Sequence, residues 1–196
     1  RQHCQSDNLD PFKNNFIVAH LGGGITISAY QNFKAIDVNN GVDGEGPFSP
    51  ERTGSLSNRI LLELVDENEG NTKKVRESLY RFGGLHSYFQ TNDVKELVEQ
   101  SKTDEKVKRI IDAMIYMIVK EIGAMSSVLK GEVRAILVTG GLAYSDYITS
   151  EIEKYVQWIA PVHIYPGENE LQALAESGYR YLTKEETAKE LEEEHV

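Results

Sequence analysis

The spacing of apolar residues changes rhythm twice along the chain. Residues 16–38 carry short apolar runs and alternations, with Phe16, Ile17, Val18 and Ala19 followed by Ile25, Ile27 and Ala29. This patterning predicts β-strands over 16–21, 25–30 and 33–38, with Gln31 and Asn32 turning the second into the third. The three make an antiparallel meander. Beyond residue 58 the period lengthens to that of a helix. Ile60, Leu61, Leu64 and Val65 share one face, and Val75, Leu79 and Phe82 another. Val94, Leu97 and Val98 mark a short helix that Thr91, Asn92 or Asp93 can cap. The longest periodic segment, 103–130, places Val107, Ile110, Ile111, Met114, Ile115, Ile118, Ile122, Met125 and Leu129 at helical spacing. Met117, Val119 and Val128 widen that face, which predicts burial on more than one side. A strand over 133–139, a helix over 146–159, a strand over 162–165 and a last helix through Leu171, Leu174, Ala175, Gly178 and Leu182 complete the pattern.

The summed order is βββ, a helical block, then βαβα. Three meander strands and two crossover strands make a five-stranded mixed sheet with helices on both faces, the α/β arrangement of a ribonuclease H-like domain. At 196 residues, 40% hydrophobic and 27% charged, the chain can bury one sizeable core. A formal charge of −10 without a compensating basic stripe argues against nucleic acid as a partner. It still allows an anionic ligand held by backbone N–H groups and an arginine or two. No apolar run reaches the length of a membrane span, and the lone Cys4 cannot form an internal disulfide, so a soluble cytoplasmic protein is expected. Residues 1–14, polar and aperiodic, read as a lead-in, 15–183 as the domain, and 184–196 as an acidic helical tail. The stretch 39–57, NNGVDGEGPFSPERTGSLS, is too long and irregular for a mere connection. Phe48 and Leu56 offer it apolar anchors, so it reads as a functional loop.

Candidate chemistry gathers in a few places. His20 ends the first strand, and Gly22, Gly23 and Gly24 follow at once. Glycine supplies the positive φ of a tight hairpin, yet a two-residue turn does not need three of them. Either the hairpin has a glycine to spare, or a phosphate approaches a nest of N–H groups. His20 is then either a satisfied histidine at a strand end or a donor to charge developing on phosphoryl oxygens. A second stretch, Thr139-Gly140-Gly141-Leu142-Ala143-Tyr144, leads from a strand into a helix, where α/β sheets bind ligands. A tight turn explains it too, and it is neither a Walker loop nor a dinucleotide fingerprint. A third, Pro166-Gly167-Glu168-Asn169-Glu170, opens the last helix. The helix dipole alone favours carboxylates there; alternatively Glu168 or Glu170 orders water around a magnesium ion carried by ATP. Arg52 in the long loop can grip a carboxylate or a transferring phosphoryl group by its fork, or be a solvated surface arginine.

Taken together, VAHLGGGIT, AIDVNN, DGEGPFSPERTGSL, GGL followed by TNDVKE, KEIGAM, LVTGGLAYS and IAPVHIYPGENELQALA resemble the butyrate kinases of the acetokinase family over residues 16–182. That resemblance implies a kinase in which two ribonuclease H-like domains close around ATP with Mg2+. It would pass the γ-phosphoryl group reversibly between ATP/ADP and a short-chain fatty acid carboxylate, with butyrate giving butyryl phosphate. Acetate, propionate or a branched acid is the alternative substrate, and a non-catalytic nucleotide-binding module the alternative class. By the same resemblance His20 contacts the phosphoryl group in flight, and Arg52 stabilises it or the acid's carboxylate. Gly22, Gly23 and Gly24 form a phosphate loop, Asp93 contacts nucleotide, Gly140 and Gly141 line adenosine, and Glu170 or Glu168 lies near the metal. Ser57 stands where the family pattern often has proline. Nothing here resembles the family's first-domain phosphate loop, so the chain reads as a C-terminal half, inactive alone, with homo-oligomerisation through the helical block as a further implication.

Overall fold

The structure, a computed structural model, describes residues 2–167 and 170–187, without the side chains of Gln2, Gln5 and Glu170. Alternation builds its sheet. The strand β1 (Asn15–Leu21) buries Ile17, Ala19 and Leu21 completely on one face and turns Phe16, Val18 and His20 to the other. Antiparallel to it runs β2 (Ile25–Gln31), then β3 (Lys34–Val38), while β4 (Ala135–Gly140) and β5 (Val162–Pro166) pair in parallel on its other side. The order β3-β2-β1-β4-β5 is the mixed five-stranded sheet that the pattern predicts. One turn is shifted. Asn32 and Phe33, not Gln31 and Asn32, carry the left-handed conformation (φ 50° and 66°), and the Phe33 ring packs on Phe12 with centroids 5.4 Å apart.

The helices are α1 (Gln2–Ser6), α2 (Asn58–Glu67), α3 (Thr72–Tyr80), α4 (Gly84–Phe89), α5 (Val94–Gln100), α6 (Glu105–Val128), α7 (Asp146–Val156) and α8 (Glu170–Leu182). Asp104 caps α6 by accepting from the Lys106 and Val107 N–H groups. Its stripe of Ile111, Met114, Ile115, Ile118 and Ile122 is buried in the cluster that holds Ile17, Ile27 and Val138. Each such side chain contributes roughly 1.5–3 kcal/mol of burial. The widened face is only partly realised, since Val119 is buried but Val128 is exposed. The α7 helix stops at Val156, short of the expected end, because the Ile159 N–H turns back to Val156 O at 2.8 Å.

Both ends carry local structure. The polar lead-in is packed: α1 buries His3 and Cys4 on the second sheet face, where Phe16 and Ala135 leave apolar surface. Burial, then the neighbouring His163, lowers the pKa of His3. The acidic tail does not continue the helix over 184–187. Lys184 adopts φ 62°, and the N–H groups of Glu185 and Glu186 both close on Arg180 O (2.9 and 3.2 Å). Residues 188–196 of that tail lie outside the described residues. Among the described residues no helix is long and apolar enough to cross a membrane.

Glu121 on α6 gives a stability prediction. Burial first, then Asp37 and Glu45, raises its carboxyl pKa. The folded state therefore holds the proton more tightly than the unfolded one. That contribution is complete below the ordinary carboxylate range and is lost as pH rises through the raised value. Glu121→Gln is expected to raise Tm at neutral pH, with the gain vanishing under acid conditions in a paired pH series of melts.

Candidate active site

The 39–57 loop is folded, and hydrogen bonds to the helical block hold it. The Thr53 N–H donates to Leu79 O, Gly83 to Glu51 O, Leu85 to Ser49 O and His86 to Pro50 O, each at 3.0 Å. Phe48 packs against the core as expected, whereas Leu56 is exposed and anchors nothing. Asn39 is buried and replaces missing ladder bonds: its side-chain oxygen accepts from Ile27 N–H (2.6 Å), and its amide donates to Ile25 O and Glu45 O.

Ser49 joins the loop to the glycine turn. It is fully buried, its hydroxyl donates to Gly23 O at 2.6 Å, and the same oxygen accepts from Arg52 N–H at 3.1 Å. The Arg52 guanidinium lies directly on Gly24, where a Cβ would collide with its Nη1 and Cζ. Its Nη1 donates to Gly41 O at 3.0 Å, the one hydrogen bond of that side chain among the described residues. None of Gly22, Gly23 or Gly24 has positive φ, and Gly22 N–H closes the turn on Gly24 O at 3.0 Å. At Gly24 the guanidinium occupies the volume a Cβ would need, so a side chain there would have to push the flexible end of Arg52 aside.

Beside this assembly a cleft of about 1080 Å³ opens, lined by Gly23, Glu51, Asn92, Asp93, Gly141 and Tyr147 among others. Three expected site residues, Gly23, Asp93 and Gly141, thus face one space. Asp93 is also the cap of α5, accepting from Glu96 N–H at 3.0 Å. Gly140 does not line the cleft. It is buried at φ 94°, its N–H and carbonyl both pair with Gly167 (3.2 and 3.0 Å), and a Cβ there would strike the Leu21 backbone. His20 is half-buried in register with Thr26 and Thr139, and lies outside the residues lining the cleft. Glu170 opens α8, and Glu168 lies outside the described residues.

The structure adds residues that the motifs did not single out. Asn92 Nδ2 donates to Glu51 Oε1 at 2.7 Å, setting that carboxylate beside Gly23. Both residues sit inside the strings that carry the resemblance, but a pair so distant in sequence leaves no local signal. On the far wall Tyr147 donates to Asp112 Oδ1 at 2.5 Å, and Lys108 Nζ holds Asp112 Oδ2 at 2.6 Å. Burial, then the bond to Asp112, raises the Tyr147 pKa, and the bond to Asp112 raises that of Lys108.

Residues 6–185 match the acetokinase family. The chain belongs to that family. Over 171 residues it is 48% identical to a Listeria welshimeri protein described as "Probable butyrate kinase", spanning 87% of this chain and 48% of the relative. Among solved structures, an acetate kinase from Porphyromonas gingivalis superposes with a TM-score of 0.82 at 20% identity, over 91% of this chain and 52% of that one. A propionate kinase from Francisella tularensis does so at 0.75, also 20% identical, over 87% and 50%. These likenesses confirm the acetokinase fold, and the chain spans about half the length of the relatives it matches.

Proposed function

We propose that this acetokinase chain works within a carboxylate kinase that moves the ATP γ-phosphoryl group to a short-chain fatty acid, butyrate foremost. The observation that carries the reading is the seating of the Arg52 guanidinium on Gly24, with Ser49 bonded to both the loop and the turn. A phosphate turn and an anion-gripping arginine are thereby one rigid unit. The carboxylate is already a nucleophile, so its oxygen bonds to the γ-phosphorus as the bond to the ADP oxygen breaks, and no covalent enzyme intermediate is needed. Gly23 and Gly24 offer N–H groups to the phosphates, and Gly141 and Asp93 border the nucleotide. His20 and Arg52 stabilise charge on the phosphoryl oxygens. The oxygen-rich lining of Glu51, Asp93 and Asp146 suits Mg2+. When bound with nucleotide, that ion supplies neutralisation of phosphate charge.

The half-length match to the relatives supports a further element of the reading, that another domain closes the opposite wall. Purified as 196 residues, the chain is then expected to yield no acyl phosphate. The apolar residues Ile60, Leu61 and Leu62 on α2 remain well exposed and would suit burial against a second copy. Hydroxamate trapping on the complete gene product, run across acetate, propionate, butyrate and isobutyrate, tests the substrate. Butyrate should give the highest kcat/KM. A flat series removes the butyrate assignment and keeps the carboxylate kinase, while no hydroxamate with any acid sinks the proposal.

A further inference from the structure

On the sheet face turned away from α6, and outside the cleft, three metal-ligating side chains converge. His3 on α1, Asp7 just beyond it and His163 on β5 each offer one ligand atom, all within 4.8 Å of one another. His3 is buried at 4% exposure, and its Nδ1 engages the Tyr165 hydroxyl at 2.9 Å. That leaves Nε2 facing the Asp7 carboxylate, 4.0 Å from Oδ2. The His3 and His163 rings lie 4.4 Å apart, centroid to centroid, tilted by 51°.

We propose that His3, Asp7 and His163 form a two-histidine, one-carboxylate site for a divalent transition-metal ion of the zinc class, clamping α1 to β5. The donor set decides the class of ion. Two imidazole nitrogens with a single carboxylate suit Zn2+ or Co2+, whereas Mg2+ and Ca2+ need shells of oxygen. Tyr165 supplies the outer contact that metal-bound histidines usually have, fixing which His3 nitrogen faces the ion. A tetrahedral ion with bonds of about 2.0–2.1 Å sets its ligand atoms roughly 3.4 Å apart, so the cluster must contract by about an ångström. Asp7 is exposed and His163 only half-buried, so both have room to move inwards. An aromatic cluster with His3 satisfied by Tyr165 accounts for one ring nitrogen. It leaves unexplained why an aspartate and a second histidine bring ligand atoms within 4.8 Å of the same imidazole. The i, i+4 spacing of His3 and Asp7 turns both to one side of the chain, and His163 meets them from β5.

The test is a Co2+ titration of the 196-residue chain at neutral pH, followed by visible d–d absorption and by thermal melts. One equivalent should bind, give tetrahedral bands, raise Tm and be displaced by Zn2+ but not by excess Mg2+. Asp7→Asn, at an exposed position, and His163→Gln should each weaken binding by roughly tenfold or more, with unchanged circular dichroism. Failure to bind one equivalent, or equal binding by the two variants and the parent, overturns the site. So does a thiolate-to-cobalt charge-transfer band, which would make Cys4 the ligand.

Discussion

Arg52→Ala in the complete gene product is expected to lower kcat by roughly 10²–10⁴-fold, the range for losing a donor to transition-state charge. Thermal stability should hardly change. Among the described residues the side chain donates to Gly41 O, a bond of about 1 kcal/mol, and the loop is held by Ser49 and by backbone bonds to the helical block. Arg52→Lys should rescue little, because one ammonium cannot lie flat on Gly24 and present a planar fork at the same time. Steady-state kinetics beside melting curves separate the outcomes. Near-normal turnover by Arg52→Ala would remove the arginine from the chemistry. A collapse of Tm would mean it holds the loop instead.

What could be read from the sequence follows from how locally each feature is encoded. The core strands β1, β2 and β4 were legible from their short apolar runs and alternations, and α6 because its apolar residues recur at helical spacing. The α1 helix was not, because five residues carry too little period to show a face, although His3 and Cys4 are buried. Loop 39–57 was legible as more than a connection, and it is folded, but its wiring depends on Ser49, whose partners are Gly23 and Arg52. The triple glycine was recognised as excessive for a turn. The packing of a guanidinium on Gly24 exists only once residues 24 and 52 meet. The Glu51–Asn92 pair and the His3–Asp7–His163 cluster are likewise products of folding, assembled from segments with no common pattern. The paired glycines at the end of β4 are placed differently: Gly140 fits β4 against β1, while Gly141 lines the cleft.

The same dependence makes Gly84, which does not line the cleft, a damaging glycine to replace. It adopts φ 55°, and a Cβ there would run into the carbonyl oxygens of Ser49 and Arg52. Those oxygens belong to backbone that cannot swing aside, because Leu85 N–H binds Ser49 O and Ser49 N–H binds Arg52 O at 3.0 and 2.9 Å. Gly84→Ala must break these bonds or strain α4, at a cost of about 2–4 kcal/mol from backbone strain and overpacking together. Gly141→Ala is the control: its Cβ would meet nothing within 4 Å and its φ is not positive, so stability should be unchanged. Hydrogen exchange locates the damage. In Gly84→Ala the amides of residues 49, 53 and 85 should lose protection while those of α6 keep theirs, since α6 packs on the sheet through Ile111, Ile115 and Ile118. Turnover of the complete gene product should fall with the loop's protection, because Arg52 loses its seat without being mutated. Full protection and turnover in Gly84→Ala would show that the loop is held by contacts other than the Ser49–Leu85 bond, and that Arg52 does not depend on the helical block for its position.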